Sequence, residues 1–221
     1  MRIIDNVHGF FWESMTQNNC NTYFVDGPTR ILVDPGHMNL FGHVEKGLEA
    51  LNVGLEDIGL VLCTHAHQDH IEAAQVFSDL PAMTTIHEKD WQLVKTMIEH
   101  LGASSPLRTE TVQPDFFLKG GEFTVEGLDF RVIHTPGHSP GGICLYWPEK
   151  KILFSGDLIF KEGLGRTDLP GGNGEELKAS IKGLSDLEIE YILPGHGGII
   201  SGAKAVRQNF EQIENYWFGY V

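Results

Sequence analysis

The chain has 221 residues, and its 16 lysines and arginines stand against 30 aspartates and glutamates, which gives a formal net charge of −14. Such a charge repels phosphate backbones and anionic lipids, so neither nucleic acid nor a membrane surface is an expected partner. The content of 41% hydrophobic and 21% charged residues is typical of a globular chain, and we expect a single domain over residues 1–221.

The first half of the chain alternates short β-rich segments with helical patterns. Strands are predicted at residues 21–25 and 30–33, joined by the turn Asp26-Gly27-Pro28, and again at 58–63 and 83–86. Apolar residues at helical spacing predict helices at about 42–52, 71–77 and 89–101. Residues 102–120 have the composition of an irregular connection.

The second half repeats this order of strands and helices. Strands are predicted at 123–125, 130–134, 143–147, 152–154 and 191–193. One helix is predicted around Leu177, Ile181 and Leu184, and another at 202–217 after an N-cap at Ser201. Because most of these strands are joined as hairpins, we predict an α+β fold of two β-sheets covered by helices.

The sequence has no pattern of a membrane span or of export. No apolar run approaches the roughly 20 residues that a membrane helix needs, and no secretory signal pattern follows Met1. The three cysteines, Cys20, Cys63 and Cys144, have no CxxC spacing and fit reduced thiols better than a disulfide framework. A cytoplasmic location is therefore expected.

Four side chains of metal-binding type follow the predicted strand at 58–63. His65, His67, Asp69 and His70 lie within six residues on a loop that leaves this strand. Imidazole nitrogen and carboxylate oxygen are ligands that suit zinc, and also iron or manganese. The alternative, a polar loop with incidental histidines, is disfavoured by the density of the pattern.

Three later segments share one arrangement, in which a strand runs into a glycine-containing turn that carries a candidate ligand. They are Pro136-Gly137-His138, Ser155-Gly156-Asp157 and Pro194-Gly195-His196. Glycine allows the backbone to approach a metal closely. Each segment alone is a weak signal, because such a turn often carries a surface histidine. Together with the first motif they supply five histidines and two aspartates at strand ends.

The first motif and the three later single ligands resemble the metallo-β-lactamase superfamily. The resemblance extends from Asp34-Pro35-Gly36 to Pro194-Gly195-His196. It implies the four-layer αβ/βα sandwich of that superfamily, with two mixed β-sheets covered by helices. It also implies two divalent metal ions, zinc first, with iron or manganese as alternatives. One ion would bind His65, His67 and His138, a second would bind Asp69, His70 and His196, and Asp157 would bridge them.

Within the superfamily, residues 165–172 resemble both the glyoxalase II-like hydrolases, the branch of the hydroxyacylglutathione hydrolases, and the related persulfide dioxygenases, and Pro194-Gly195-His196-Gly197 looks more like the hydrolase branch. The resemblance implies cleavage of a thioester or similar small acyl substrate by a metal-bridging hydroxide. Asp69 is the candidate catalytic residue, because it would orient the attacking water and accept its proton. A thiolate leaving group, with a pKa of about 8.5, departs without a strong general acid. The acyl group and the thiol carrier stay open.

The main alternative is an oxidoreductase of the persulfide dioxygenase type. A single iron would then be held by His65, His138 and Asp157. The second set of ligands, Asp69, His70 and His196, favours two metals. A nuclease is disfavoured by the net charge of −14, and a metal sensor without turnover by the complete ligand set.

Several residues near these motifs have two interpretations each. Asp34 is either the carboxylate partner of a ligand histidine or a plain turn residue. Glu72 stands where the family commonly has glycine, and is either a solvated acid of a first helical turn or a charge that disfavours anionic substrates. Arg166 and Asp168 either brace their loop as a pair or meet the substrate.

Two aromatic segments lie outside the motifs. Residues 10–12, with Met15, form either an apolar lid over the active site or a strand with ordinary core aromatics. The tail at 216–220 is too aromatic to be left in solvent, so it packs on the body of the protein or at a contact in a homo-oligomer.

Overall fold

The computed structural model describes residues 1–14 and 16–221. The chain divides into two compact units, Met1–Leu118 and Lys119–Val221. Each unit is built on one mixed β-sheet, with helix residues in the same hydrophobic core. The predicted α+β class with two mixed, helix-covered sheets is therefore confirmed, whereas the single domain over 1–221 stays a prediction. Met15, one of the residues of the suggested lid, lies outside the described residues.

The first unit contains a seven-stranded sheet whose strands are adjacent in sequence order. They are β1 (Arg2–Ile4), β2 (Val7–Phe10), β3 (Thr22–Val25), β4 (Arg30–Val33), β5 (Ile58–Leu62), β6 (Met83–His87) and β7 (Phe116–Leu118). Strands β1 to β4 form an antiparallel meander, and β4 to β7 are parallel. The helices are α1 (Gly42–Glu49), α2 (Gln68–Ile71), α3 (Glu88–Leu101) and α4 (Thr109–Val112).

The parallel half of this sheet brings two motifs to one edge. Val33, the last residue of β4, is in register with Leu62, the last residue of β5. Asp34 and the segment that begins at Cys63 therefore leave the sheet side by side. Strand β5 is apolar along its whole length and almost fully buried, as expected for a parallel strand covered on both faces.

The second unit contains a six-stranded sheet in the order β15-β14-β11-β10-β9-β8. Its strands are β8 (Gly121–Val125), β9 (Leu128–His134), β10 (Ile143–Trp147), β11 (Ile152–Gly156), β14 (Tyr191–Pro194) and β15 (Ile200–Ser201). The short strands β12 (Ile159–Phe160) and β13 (Gly163–Leu164) pair with each other. Helix α5 spans Gly174–Leu184, and α6 spans Ala203–Gln212 and continues as one π-helical segment, Ile213–Trp217.

The carboxyl ends of three strands carry the later candidate ligands of the second unit. Strands β11 and β14 are parallel, with Gly156 in register with Pro194. Strand β9 runs in the same direction as β11, because both pair antiparallel with β10. The turns after β9, β11 and β14 therefore leave this sheet at one edge, as the shared pattern of the three segments predicts.

Most of the predicted elements are present, with ends that differ by a few residues. The prediction of an irregular connection at 102–120 is wrong, because this segment contains α4 and the edge strand β7. The N-cap at Ser201 is also wrong. Ser201 ends β15, and α6 follows Gly202, whose φ of 97° suits glycine and which has no capping side chain. In the described part of the chain, no helix is long and apolar enough to cross a membrane.

Candidate functional site

The first unit brings His65, His67, Asp69 and His70 together, and we call these four residues the N-terminal cluster. Candidate ligand atoms of His65 and His67, of His65 and His70, and of Asp69 and His70 lie within 4.8 Å of each other. The ring centroid of His65 is 4.8 Å from that of His67 and 4.0 Å from that of His70. His65 and His70 are buried. Such spacing is compatible with ligands that share metal ions.

Asp34 supports this cluster through hydrogen bonds to His70 and to Thr64, the residue before His65. One carboxylate oxygen accepts hydrogen bonds from His70 Nδ1 (2.9 Å) and Thr64 Oγ1 (2.7 Å), and the other accepts one from the backbone N–H of Thr64 (2.7 Å). Asp34 is buried and has a φ of 54°, a left-handed conformation that aspartate tolerates better than most residues. The interpretation of Asp34 as the partner of a candidate ligand histidine is therefore confirmed.

The same hydrogen bonds assign the protons of two imidazoles. A carboxylate can only accept, so His70 carries its proton on Nδ1 and presents Nε2 as a lone pair. The Thr64 hydroxyl donates its proton to the hydrogen bond with Asp34, so its oxygen accepts a hydrogen bond from His65 Nδ1, 3.1 Å away. His65 therefore also presents Nε2. A neutral imidazole whose lone-pair nitrogen is fixed in this way can bind a metal ion.

Two further residues support this cluster and were missed in the sequence. Asp90 is fully buried in the first turn of α3, and its Oδ2 accepts a hydrogen bond from the backbone N–H of Ala66 at 2.8 Å. Asn18 Nδ2 donates to Asp69 Oδ2 at 2.6 Å. Asp90 fixes the backbone between His65 and His67, and Asn18 orients the Asp69 carboxylate. The only signal in the sequence was an acid in a first helical turn, which the helix dipole alone explains.

Glu72 is neither solvated nor isolated. Its carboxylate pairs with His37 Nδ1, and only 14% of its side-chain surface is exposed. The interpretation of Glu72 as a solvated first-turn acid is therefore wrong. Two backbone hydrogen bonds join the loop after β4 to the α2 segment: Gly36 N–H donates to His70 O (3.1 Å), and Ala73 N–H donates to Gly36 O (2.7 Å). The pair of Glu72 and His37 is a third link between these two segments. The effect of Glu72 on anionic substrates stays a prediction.

Phe10, at the end of β2, belongs to the core of the first unit. Its side chain is buried, and its ring stacks on that of Phe24 with centroids 6.5 Å apart. Trp12 is half-buried, and its indole N–H donates to Gln17 O. The interpretation as a strand with ordinary core aromatics is confirmed for Phe10.

The second unit brings His138, Asp157 and His196 together, and we call these three residues the C-terminal cluster. Asp157 Oδ2 lies 3.6 Å from His138 Nε2 and 3.3 Å from His196 Nε2. His138 Nδ1 donates to the backbone carbonyl of Arg166 at 2.7 Å, so Nε2 of His138 is the lone-pair nitrogen. Two lone-pair atoms that face each other at this distance repel unless a cation lies with them.

A glycine makes the close approach in this cluster possible. A Cβ at Gly165 would lie 1.9 Å from the carbonyl oxygen of Asp157 and 3.0 Å from His138 Nδ1. Only glycine therefore fits at position 165 without displacing the backbone of Asp157. The backbone carbonyl of the next residue, Arg166, then accepts the hydrogen bond from His138 Nδ1.

The side chains of Arg166 and Asp168 form a bidentate pair, with Nε–Oδ1 and Nη2–Oδ2 distances of 2.6 Å each. The hydrogen bonds from Arg166 lower the pKa of the Asp168 carboxyl to about 2. Both side chains are exposed, so the pair contributes little to stability. Its formation agrees with the bracing interpretation of this loop.

The family model of the metallo-β-lactamase superfamily matches residues 15–196, which is most of the chain and includes all seven candidate ligands. The chain belongs to the metallo-β-lactamase superfamily. It is 31% identical to the hydroxyacylglutathione hydrolase GloC of Haemophilus influenzae over 87% of this chain and 92% of that protein.

Two solved structures are similar to this chain in fold. A metallo-β-lactamase family protein from Thermus thermophilus, TTHA1429, aligns with a TM-score of 0.78 at 22% identity, over 99% of this chain and 81% of that chain. The protein TTHA1623 in a di-iron-bound form aligns with a TM-score of 0.67 at 32% identity, over 86% and 93%. The metallo-β-lactamase fold predicted from the motifs is therefore confirmed.

Replacing Asp34 with asparagine tests its role behind the N-terminal cluster. Asparagine has the same size and tolerates the left-handed backbone. Its amide N–H₂, however, must face one of the N–H or O–H groups that now donate to Asp34, and two donors cannot form a hydrogen bond with each other. We expect metal affinity to fall about 10- to 100-fold, as measured by competition with a chelator. Asp79→Asn, at an exposed position, is the matched control. Equal affinities of the two variants would contradict the role of Asp34.

Proposed function

We propose that the protein is a metal-dependent hydrolase that cleaves a thioester or similar small acyl substrate with two divalent ions. The observation that carries the proposal is the donor set: three histidines have Nδ1 engaged by Asp34, Thr64 or a backbone carbonyl and so present Nε2. Two relatives support it. GloC is named a hydroxyacylglutathione hydrolase, and TTHA1623 is described with two irons.

The donor set fits the metals that the family implies. Five imidazoles and two carboxylates suit zinc, and equally iron or manganese. The seven side chains of the two clusters would supply the ligands in the assignment that the family's motifs imply. The Nε2 lone pairs of His65, His70 and His138, and the approach of Asp157 Oδ2 to Nε2 of His138 and of His196, are what a cation requires.

When bound, a pair of divalent ions supplies a Lewis acid for the substrate carbonyl and a water of lowered pKa. The chain itself orients the reaction. Asn18 donates a hydrogen bond to one oxygen of Asp69, and the carboxylate so oriented would position the attacking water and accept its proton. Asp34 and Asp90 keep the loop of the N-terminal cluster in place, so little reorganisation is needed as charge develops on the substrate.

A thioester suits this arrangement because the described residues of the two clusters supply no obvious strong acid for a leaving group. Every cluster residue is a histidine or an aspartate proposed to hold metal. A thiolate, with a pKa of about 8.5, leaves without protonation more readily than an alkoxide or an amine. We therefore propose a small thioester as the substrate and, with the three buried thiols, a cytoplasmic location.

Metal analysis combined with two assays separates this proposal from the persulfide dioxygenase alternative. Protein purified without added metal should contain about two divalent ions per chain and hydrolyse a panel of thioesters, followed through thiol release. About one iron per chain, with oxygen uptake on glutathione persulfide and no thioester turnover, would reject the hydrolase. Iron alone does not decide, because the relative TTHA1623 is described in a di-iron-bound form.

A further inference from the structure

The exposed face of α6 has a charge order that the helix itself does not favour. Lys204 and Arg207 lie in the first turns, whereas Glu211 and Glu214 lie at the end and in the π-helical segment that follows. Acids stabilise the beginning of a helix and bases its end, so this order opposes the helix dipole. All four side chains are exposed, and within residues 1–14 and 16–221 none of them forms an ion pair. These four charges are therefore available for ion pairs with another chain.

The same order of charges makes the face of one α6 helix complementary to the face of a second, antiparallel copy. Lys204 and Glu214 are equally distant from Asn209 along the chain, and so are Arg207 and Glu211. When the exposed sides of two such helices lie antiparallel about a two-fold axis at the level of Asn209, whose own side chain is buried on the opposite side of α6, each base faces an acid of the other helix. Lys204 then meets Glu214 and Arg207 meets Glu211, each pair occurring twice. A parallel arrangement would instead place like charges together.

Exposed aromatic residues follow at the carboxyl end of α6. Tyr216 is 69% exposed and Tyr220 is 83% exposed, and the rings of Trp217 and Tyr220 contact each other with centroids 6.2 Å apart. Of the two places predicted for the tail, packing on the body of the protein is thus wrong for these two tyrosines, and a contact in a homo-oligomer stays a prediction. Exposed aromatic groups of this kind are typical of protein interfaces.

A cavity that runs along α6 from Ala203 to Glu214 offers a place for these rings. It has a volume of about 650 Å³, and its apolar floor includes Ile189, Val206 and Phe210, whereas Arg207 and Glu211 stand at its side. The antiparallel register that pairs the charges also brings Tyr216 of one chain to Gly202 of the other. A Cβ at Gly202 would contact nothing within 4 Å, so there is open space at this point.

We propose that α6 and the aromatic tail form an isologous interface with a second copy of this chain. The exposed sides of the α6 helices lie antiparallel, with the two-fold axis at the level of Asn209 along the helix, and Tyr216 of each copy enters the cavity beside α6 of the other at its Ala203 end. The local charge complementarity offsets the general repulsion between two acidic chains, which salt screens beyond about 10 Å. This interface does not depend on the proposed reaction.

A charge-swap experiment tests the proposal and its register. The wild-type mass is measured by sedimentation over a range of concentrations, together with the variants Arg207→Glu and Glu211→Arg. Each single variant places like charges opposite each other twice in its own dimer, so we expect its dimer dissociation constant to rise about ten-fold or more. A mixture of the two variants restores both attractive pairs, and we expect it to form a heterodimer as tight as the wild-type dimer. Tyr216→Ala should weaken the dimer as well.

Glu99→Arg, at an exposed position of α3, is the matched control for charge reversal and should leave the dimer unchanged. A wild-type chain that stays monomeric at every concentration would overturn the proposal. So would a dimer that Arg207→Glu leaves intact, or a mixture of the two single variants that fails to associate. Metal content and circular dichroism of each variant establish that it is folded.

Discussion

Replacing Asp157 with alanine is expected to lower thioester turnover about 10³-fold or more, because metal ions contribute several kcal/mol of transition-state stabilisation and each 1.4 kcal/mol is tenfold in rate. Asp157 is the carboxylate of the C-terminal cluster, and one of its oxygens approaches both His138 and His196. Without this carboxylate, His138 and His196 remain, but the negative charge that lies between them and would help to hold a metal ion is gone. Bound metal, measured per chain, should therefore fall together with turnover.

Three further variants sharpen this experiment. His65→Ala should have the same effect as Asp157→Ala, whereas His100→Ala, at an exposed position of α3, should leave turnover unchanged. Asp69→Ala separates the two candidate functions. A hydrolase with two ions loses its activity, but a dioxygenase with one iron on His65, His138 and Asp157 retains its own. Near-native thioester turnover of Asp157→Ala would reject the proposed ligand set.

The candidate ligands could be found in the sequence because local signals coincide there. A buried apolar strand, β5, ends immediately before a run of four ligand-type residues, and each later ligand follows a strand and a glycine turn. Parallel strands place their carboxyl ends at one edge, so the order of elements already indicates which loops meet within each sheet. The structure confirms this for Asp34 and the His65–His70 segment, and for Asp157 and His196.

The supporting residues could not be found in this way, because their partners are distant in the sequence. Asp90 binds the N–H of Ala66 and Asn18 binds Asp69 only through tertiary packing. Glu72 shows the same limit. Its position at the start of a helical turn is explained by the helix dipole, and its pair with His37 depends on how the loop after β4 lies against α2. The short elements α4 and β7 lack a periodic pattern long enough to predict.

Gly165→Ala should damage the C-terminal cluster although it adds only a methyl group. The new Cβ would lie 1.9 Å from the Asp157 carbonyl oxygen, so the backbone must move and carry the Arg166 carbonyl away from His138. We expect a loss of about 1–3 kcal/mol in the free energy of unfolding and a loss of bound metal. Denaturant titration and metal analysis measure the two effects.

Gly163→Ala is the matched control for Gly165→Ala, since it lies two residues earlier on the same segment and its new Cβ would come no closer than 3.9 Å to Phe160. It should bind metal and unfold like the wild type. If instead the two variants bind metal equally well, then the close passage of the chain at Gly165 does not position His138 and Asp157. A Gly165→Ala protein that is less stable but keeps full metal affinity would assign the glycine to folding alone. The metal measurement therefore separates the positioning role from a purely structural one.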